Sequence, residues 1–240
     1  MVIYAHRGFS GCYPENTMIA FQKAYAYGAK ALEFDVQITK DGKIIVIHDE
    51  KIDRTTNGKG FVKDFTVDQI KKLDAGSWFD QLYKDEKIPT LDEVIKWLST
   101  IERKMIVNIE LKSKEFSQRK ILRELINVIE RHNFLKHHIV FSSFLIENLI
   151  ELRNLDRDVS LALLLEWNKD YSVEEIMKLS EIVNAKYVHT DVRILQSDIV
   201  NVLCNLTNVC VYTVNDQNIF KMAKSKGIFG IFTDFLDKMI

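Results

Sequence analysis

Cysteine is scarce in this chain: Cys12, Cys204 and Cys210 are the only three in 240 residues. The number is odd and no pair has a metal-ligand spacing. That argues against a disulfide framework and a thiolate metal site, and leaves reduced thiols in a reducing compartment as the expectation. Long apolar runs are missing too, and none reaches the roughly 18 residues of a membrane span, so no stable membrane insertion is expected. The N-terminus lacks the basic stretch, apolar segment and small-residue cleavage site of a secretory signal, which makes a cytoplasmic location the expectation. Neither sign of charge dominates. With 33 basic and 34 acidic residues the net charge is -1, which argues against a broad nucleic-acid footprint. A small anion met by a few local cations stays open. There is no low-complexity tract, internal repeat or linker, and no G-x-G-x-x-G follows the first apolar run. What the chain does have is 47% hydrophobic and 10% aromatic residues, enough for one core. Residues 1–240 are read as a single domain.

Short apolar runs alternate with longer amphipathic ones. The spacing predicts strands at 2–6, 31–36, 44–48, 105–111, 138–142, 159–165, 186–189, 209–213 and 229–232. Thr90-Leu-Asp-Glu93 and Ser172-Val-Glu-Glu175 are capping-box patterns ahead of helices. Ile121, Leu122, Leu125, Ile126 and Ile129 follow helical spacing. Asn16 is positioned to cap a helix carrying Ile19, Ala20, Phe21 and Ala24 and ending at Gly28. If 44–48 pairs locally with the strand before it, eight strand–helix repeats remain. That predicts a (β/α)8 TIM barrel, with a doubly wound open sheet as the alternative. Residues 50–88 break the rhythm, because a βα connection normally takes a few residues. They read as a small insertion after the second strand, with a short helix opened by Thr66-x-x-Gln69.

Chemistry-bearing residues collect where the predicted strands stop. On a strand, Glu33 and Asp35 face the same side. At the spacing of a strand they repel by roughly 2–3 kcal/mol for an effective dielectric of about 20. A cation, a shared proton or water must offset this. A third acid, Glu110, ends Ile106-Val-Asn-Ile-Glu-Leu-Lys112. Three carboxylates without a matching Cys or His suggest a hard divalent cation, Mg2+ or Ca2+, with water and substrate oxygens completing its shell. His6 and His48 each end a strand, and a histidine pair can supply one base and one acid at neutral pH. His132, His137, His138 and His189 are assigned no catalytic role. Arg7 and Lys112 are cations suited to phosphate. Two structural roles stand beside these: Arg7 pairing with Glu15 or Asp49, and Lys112 pairing with Glu110. Asp49 either orients His48 or serves in a turn.

Taken in order, these residues resemble the glycerophosphodiester phosphodiesterase family from end to end. The match runs through His6-Arg7-Gly8, Pro14-Glu15-Asn16-Thr17, Glu33-x-Asp35-Val36, Thr39-x-Asp41-Gly42 and His48-Asp49. It continues through Leu73-Asp74-Ala75-Gly76-Ser77-Trp78-Phe79, Ile88-Pro89-Thr90-Leu91 and Glu110-Leu111-Lys112. Ser142-Ser143-Phe144, Tyr212-Thr213-Val214-Asn215 and Gly230-Ile231-Phe232-Thr233-Asp234 complete it. The resemblance implies a (β/α)8 barrel and hydrolysis of a small-molecule glycerophosphodiester to an alcohol and sn-glycerol 3-phosphate. It implies a divalent metal on Glu33, Asp35 and Glu110, His6 and His48 as the acid–base pair, and phosphate contacts from Arg7 and Lys112. Tyr212 stands where the family often has tryptophan, as an aromatic wall to the substrate. Leu236 stands where a proline often follows the last strand. Three other readings remain: a lysolipid-directed phospholipase, for which Phe61, Phe65, Trp78 and Phe79 would supply an apolar surface instead of packing the insertion onto the barrel, a carboxylate-pair glycosidase, and a barrel reused for binding.

Overall fold

β-Branched and aliphatic runs bounded by turn residues become strands throughout the chain. The computed structural model describes residues 1–132, 137–166 and 168–239. Its strands are β1 (Val2–Ala5), β2 (Ala31–Ile38), β3 (Ile44–Val46), β4 (Ile106–Leu111), β5 (His138–Ser143), β6 (Ser160–Leu164), β7 (Tyr187–Asp191), β8 (Asn208–Tyr212) and β9 (Gly230–Thr233). All except β3 run parallel, and β1 pairs with both β2 and β9. Eight strands therefore close into a TIM barrel. β3 lies antiparallel on β2, with Val36 opposite Val46, so the local pairing expected for 44–48 is present. The helices are α1 (Met18–Ala26), α2 (Val67–Ile70), α3 (Leu91–Thr100), α4 (Arg119–Arg131), α5 (Ile146–Leu155), α6 (Val173–Val183), α7 (Ile199–Leu206) and α8 (Gln217–Ser225).

Strand alternation divides the core in two. Leu32, Phe34, Val36, Val107, Ile109 and Leu111 face the helices and join the large cluster that includes Leu122 and Leu125 of α4. The opposite parity faces the barrel axis. There Tyr4, Ala31, Val140, Ala162, Tyr187, Cys210 and Phe232 form an apolar plug, with Tyr4 stacked on Phe232 at 4.6 Å between centroids. Above the plug the inward positions turn largely polar, with His6, Glu33, Asn108, Glu110, Ser142 and His189 lining a cavity beside Leu164 and Tyr212. The plug closes the N-terminal half of the barrel, so chemistry is confined to the C-terminal ends of the strands, where such barrels carry their sites.

Capping boxes form at Thr66, Thr90 and Ser172 as their spacing predicts. Asn16 does not cap α1. Thr17 is the N-cap and accepts from the Ala20 amide, while Asn16, at φ 56°, turns its side chain to Asp35. A carboxylate buried on β2 draws the stronger hydrogen bond. The segment between β3 and α3 has its own small core of Ile52, Val62, Ile70, Ala75 and Ile88 set against Ile45 and Ile47. Phe61 and Trp78 keep 38% exposure each. Lys51 and Lys63 flank the Phe61 ring, and the Trp78 indole donates to the Ala75 carbonyl.

Gly8 fastens the turn that follows β1. Its φ is +86°, and a Cβ there would meet Ala20 Cβ at 2.7 Å. We expect Gly8→Ala to destabilise the fold by roughly 1–3 kcal/mol, read as a lower denaturant midpoint with unchanged slope.

Candidate active site

The turn after β1 builds the first half of the site. Arg7 adopts φ 55°, which aims its amide at Glu33 Oε2, 2.8 Å away. Its guanidinium donates to Glu15 Oε1 at 2.9 Å, and its Nε lies 3.4 Å from Asp35 Oδ2. The expected pairing with Glu15 is thus present, and Arg7 also lines the cavity between the strand ends. β2 presents Glu33 and Asp35, 2% and 1% exposed. β4 brings Glu110 beside them through the register that sets Asp35 against Glu110. Carboxylate oxygens from all three lie within 4.8 Å of one another.

Three acids this close cannot share one protonation behaviour. Burial, followed by repulsion from Asp35 and Glu110, pushes the Glu33 pKa well above the usual carboxylate range. Burial opposes ionisation of Asp35 as well, but Arg7, Lys112, His48 and the Asn16 amide outweigh it and hold its pKa below that range. Asp35 Oδ1 has no hydrogen-bond partner. Lys112 Nζ sits 2.6 Å from Glu110 Oε1 and 3.8 Å from Asp35 Oδ1, so the expected Glu110–Lys112 pair also forms. A buried hard-oxygen donor set with an unpartnered ligand atom fits a divalent cation, with the rest of its shell open to water and substrate.

The two imidazoles flank the acids, each held by its own carboxylate. His6 donates from Nδ1 to Asp234 at 2.6 Å, and its Nε2 lies 4.0 Å from Glu33. Asp234 is fixed by Ser10 Oγ at 3.0 Å and Asn215 Nδ2 at 2.6 Å. Burial resists its ionisation, but the hydrogen bond from His6 lowers its pKa to about 2. His48 donates from Nδ1 to Asp49 at 2.6 Å and accepts at Nε2 from the Lys112 ammonium at 3.1 Å. Burial, with Arg7 and Lys112, pushes its pKa below 6.5 against the opposing pull of Asp35 and Asp49. Asp49 therefore orients His48.

All eight residues singled out in the sequence converge: His6, Arg7, Glu33, His48, Glu110, Lys112 and Tyr212 line one cavity of about 110 Å3, and Asp35 touches Arg7 and Lys112 from behind. Tyr212 meets Phe144 edge-on at 6.4 Å and donates to the Leu165 carbonyl at 2.9 Å.

Residues 6–238 match the glycerophosphoryl diester phosphodiesterase family. The chain belongs to that family. It is 38% identical to the glycerophosphodiester phosphodiesterase of Bacillus altitudinis over 241 residues, covering 99% of this chain and 96% of that one. A glycerophosphodiester phosphodiesterase of Bacillus subtilis is 35% identical, with 97% and 83% covered. Among solved structures, an Oleispira antarctica phosphodiesterase in complex with the product sn-glycerol-3-phosphate superposes with a TM-score of 0.89 at 29% identity, covering 100% of this chain and 95% of that one. The glycerophosphodiester phosphodiesterase of Agrobacterium tumefaciens gives 0.82 at 26%, with 100% and 98% covered.

Sequence reasoning missed three residues that brace the candidate site of this glycerophosphoryl diester phosphodiesterase family member. Asp234 and Asn215 were matched only by resemblance and given no role. Arg54, from the insertion, had none at all. Its guanidinium bonds Glu15 at 2.7 and 2.8 Å and Asp49 at 2.8 and 3.1 Å. It thereby ties the partner of Arg7 to the partner of His48. We expect Arg54→Met to lower kcat by about 10–100-fold, as loss of an orienting partner does, with metal-induced thermal stabilisation unchanged. Steady-state kinetics beside thermal melts check both halves of this.

Proposed function

We propose that this chain hydrolyses glycerophosphodiesters to an alcohol and sn-glycerol 3-phosphate. His6 and His48 act as the acid–base pair, and Mg2+ or Ca2+ sits on Glu33, Asp35 and Glu110. The observation that carries the reading is one cluster at the strand ends, where three carboxylates within 4.8 Å meet two carboxylate-tethered imidazoles and the cations Arg7 and Lys112. The chain is an enzyme of a phosphodiesterase family, and the product held by its Oleispira antarctica relative fits the same chemistry. No described helix is long and apolar enough to cross a membrane. A cytoplasmic setting, and one domain in which residues 50–88 serve the barrel, complete the proposal.

The chain's own groups suffice for the proton bookkeeping. Arg7 and Lys112 grip the phosphate oxygens. His48, tethered at Nδ1, exchanges the Lys112 hydrogen bond at its unprotonated Nε2 for the glycerol hydroxyl next to the esterified carbon once Lys112 turns to the phosphate, and takes that hydroxyl's proton. That oxygen attacks phosphorus within the same molecule, where effective molarities reach about 10^5–10^8 M. The bond to the leaving alcohol breaks, and His6 gives that alcohol its proton. Water then opens the five-membered cyclic phosphate. Its proton goes to His6, while His48 returns one to the released hydroxyl. A bound divalent cation supplies charge neutralisation on the phosphoryl oxygens.

The test is glycerol 3-phosphate release from a panel of glycerophosphodiesters, using metal-stripped protein with each cation added back. Full release in excess EDTA would remove the metal from the mechanism, and metal-independent cleavage of a glycoside with no glycerol 3-phosphate release would favour the carboxylate-pair glycosidase. Faster turnover of a lysolipid than of its deacylated diester would favour the phospholipase. A substrate without the vicinal hydroxyl must be inert for the cyclic route to hold.

A further inference from the structure

Four side-chain atoms of described residues around the site are buried without a hydrogen-bond partner: Arg7 Nε, Asp35 Oδ1, Asn108 Oδ1 and His189 Nε2. The first two belong to residues already assigned to the phosphate and the metal. The other two have no part in the chemistry derived above. Asn108 and His189 are 2% and 1% exposed, and both line the cavity. Leaving a buried polar atom unpaired costs about 1–3 kcal/mol. Two at one cavity leave a donor and an acceptor position that a substrate hydroxyl could fill.

We propose, on the reading that this site cleaves glycerophosphodiesters, that Asn108 and His189 bind the terminal hydroxyl of the glycerol moiety and make the enzyme selective for it. Asn108 stands one inward position below Glu110 on β4, nearer the apolar plug. Its amide donates to Ser142 Oγ at 2.9 Å. Whichever way that amide is turned, one polar atom stays unused. His189 occupies the corresponding inward position of β7, its ring against Phe232 at 4.9 Å between centroids. The phosphate is anchored above by Arg7 and Lys112. The vicinal hydroxyl stays between the imidazoles, so the third carbon reaches the floor. A hydroxyl both donates and accepts, which suits an amide and a neutral imidazole together. Burial alone drives the His189 pKa down to about 3, so the floor offers no cation and favours a neutral group over an anionic one.

The experiment compares a glycerophosphodiester with the 2-hydroxypropyl diester of the same leaving alcohol. The second substrate keeps the phosphate and the vicinal hydroxyl and lacks only the terminal one. Wild-type enzyme should prefer the glycerol ester by about 10^2-fold or more in kcat/KM, because polar groups built to meet a hydroxyl reject its absence. His189→Phe should erase most of that preference by slowing the glycerol ester while sparing the hydroxypropyl ester. His189→Gln, which keeps a neutral donor and acceptor, should retain part of it. Independently of any variant, wild-type protein should bind glycerol 3-phosphate at least tenfold more tightly than 2-hydroxypropyl phosphate by calorimetry. Equal kcat/KM for the two wild-type substrates, equal slowing of both by His189→Phe, or equal binding of the two monoesters would each overturn the proposal and leave the floor to ordered water. Absence of turnover on both diesters with metal restored would sink the phosphodiesterase reading as well.

Discussion

His6→Ala and His48→Ala should each lower kcat by roughly 10^2–10^4-fold with the fold intact, the loss expected when a positioned proton-transfer group is removed. Both side chains are held from outside the reacting centre, by Asp234 and Asp49 at 2.6 Å, so alanine removes the imidazole without opening the core. The two variants should differ in their pH profiles. In the proposed role of first acceptor His48 must be unprotonated, so activity should rise as pH climbs through its pKa. Burial, Arg7 and Lys112 push that pKa below 6.5, and a bound divalent cation would push in the same direction. The acidic limb of kcat/KM should therefore lie below pH 6.5 in wild type and vanish in His48→Ala. A limb above that pH, or one that survives the substitution, would remove His48 from the acceptor role. Circular dichroism must show native folding in both variants for the comparison to count.

The barrel was legible because its strands are short, apolar and regularly spaced, and register then follows from closure. The site was legible for a related reason. Residues that end strands in the sequence meet at one rim in space, so Glu33, Asp35, Glu110, His6 and His48 could be grouped before any contact was known. What escaped the sequence was contact across long separations. Asp234 holds His6 across 228 residues. The signal was available in principle, since Asp234 directly follows the strand that closes on β1, where Ala5 pairs with Thr233. Arg54 lies in the insertion, where no periodicity says which way a side chain turns. Asn16 was misread because a cap and a carboxylate compete for one amide, and the sequence does not rank buried partners. His189 was set aside as a histidine on a late strand. Only its inward parity shared with Tyr187 and its unpaired Nε2 bring it to the cavity.

Glu33→Gln should abolish the metal response while leaving the metal-free protein as stable as wild type, or more so. Without a cation, Glu33 is a buried acid beside two others, and its raised pKa records that its charge is unwelcome there. Glutamine keeps an acceptor for the Arg7 amide, 2.8 Å away, and carries no charge to repel Asp35. A divalent cation reverses the preference, because it needs the carboxylate ionised. Metal binding to wild type should then release a proton, seen as a buffer-dependent heat in calorimetry. Affinity should rise with pH until Glu33 is ionised in the metal-free protein as well. At 100 times the dissociation constant the cation should stabilise wild type by about 2.7 kcal/mol, a shift that Glu33→Gln should lack. Activity at the same metal concentration should fall by roughly 10^3-fold or more, as charge stabilisation worth several kcal/mol is lost. If Glu33→Gln were inactive but kept the full metal-induced shift in Tm, Glu33 would not be a ligand and Asp35 and Glu110 would have to hold the cation without it.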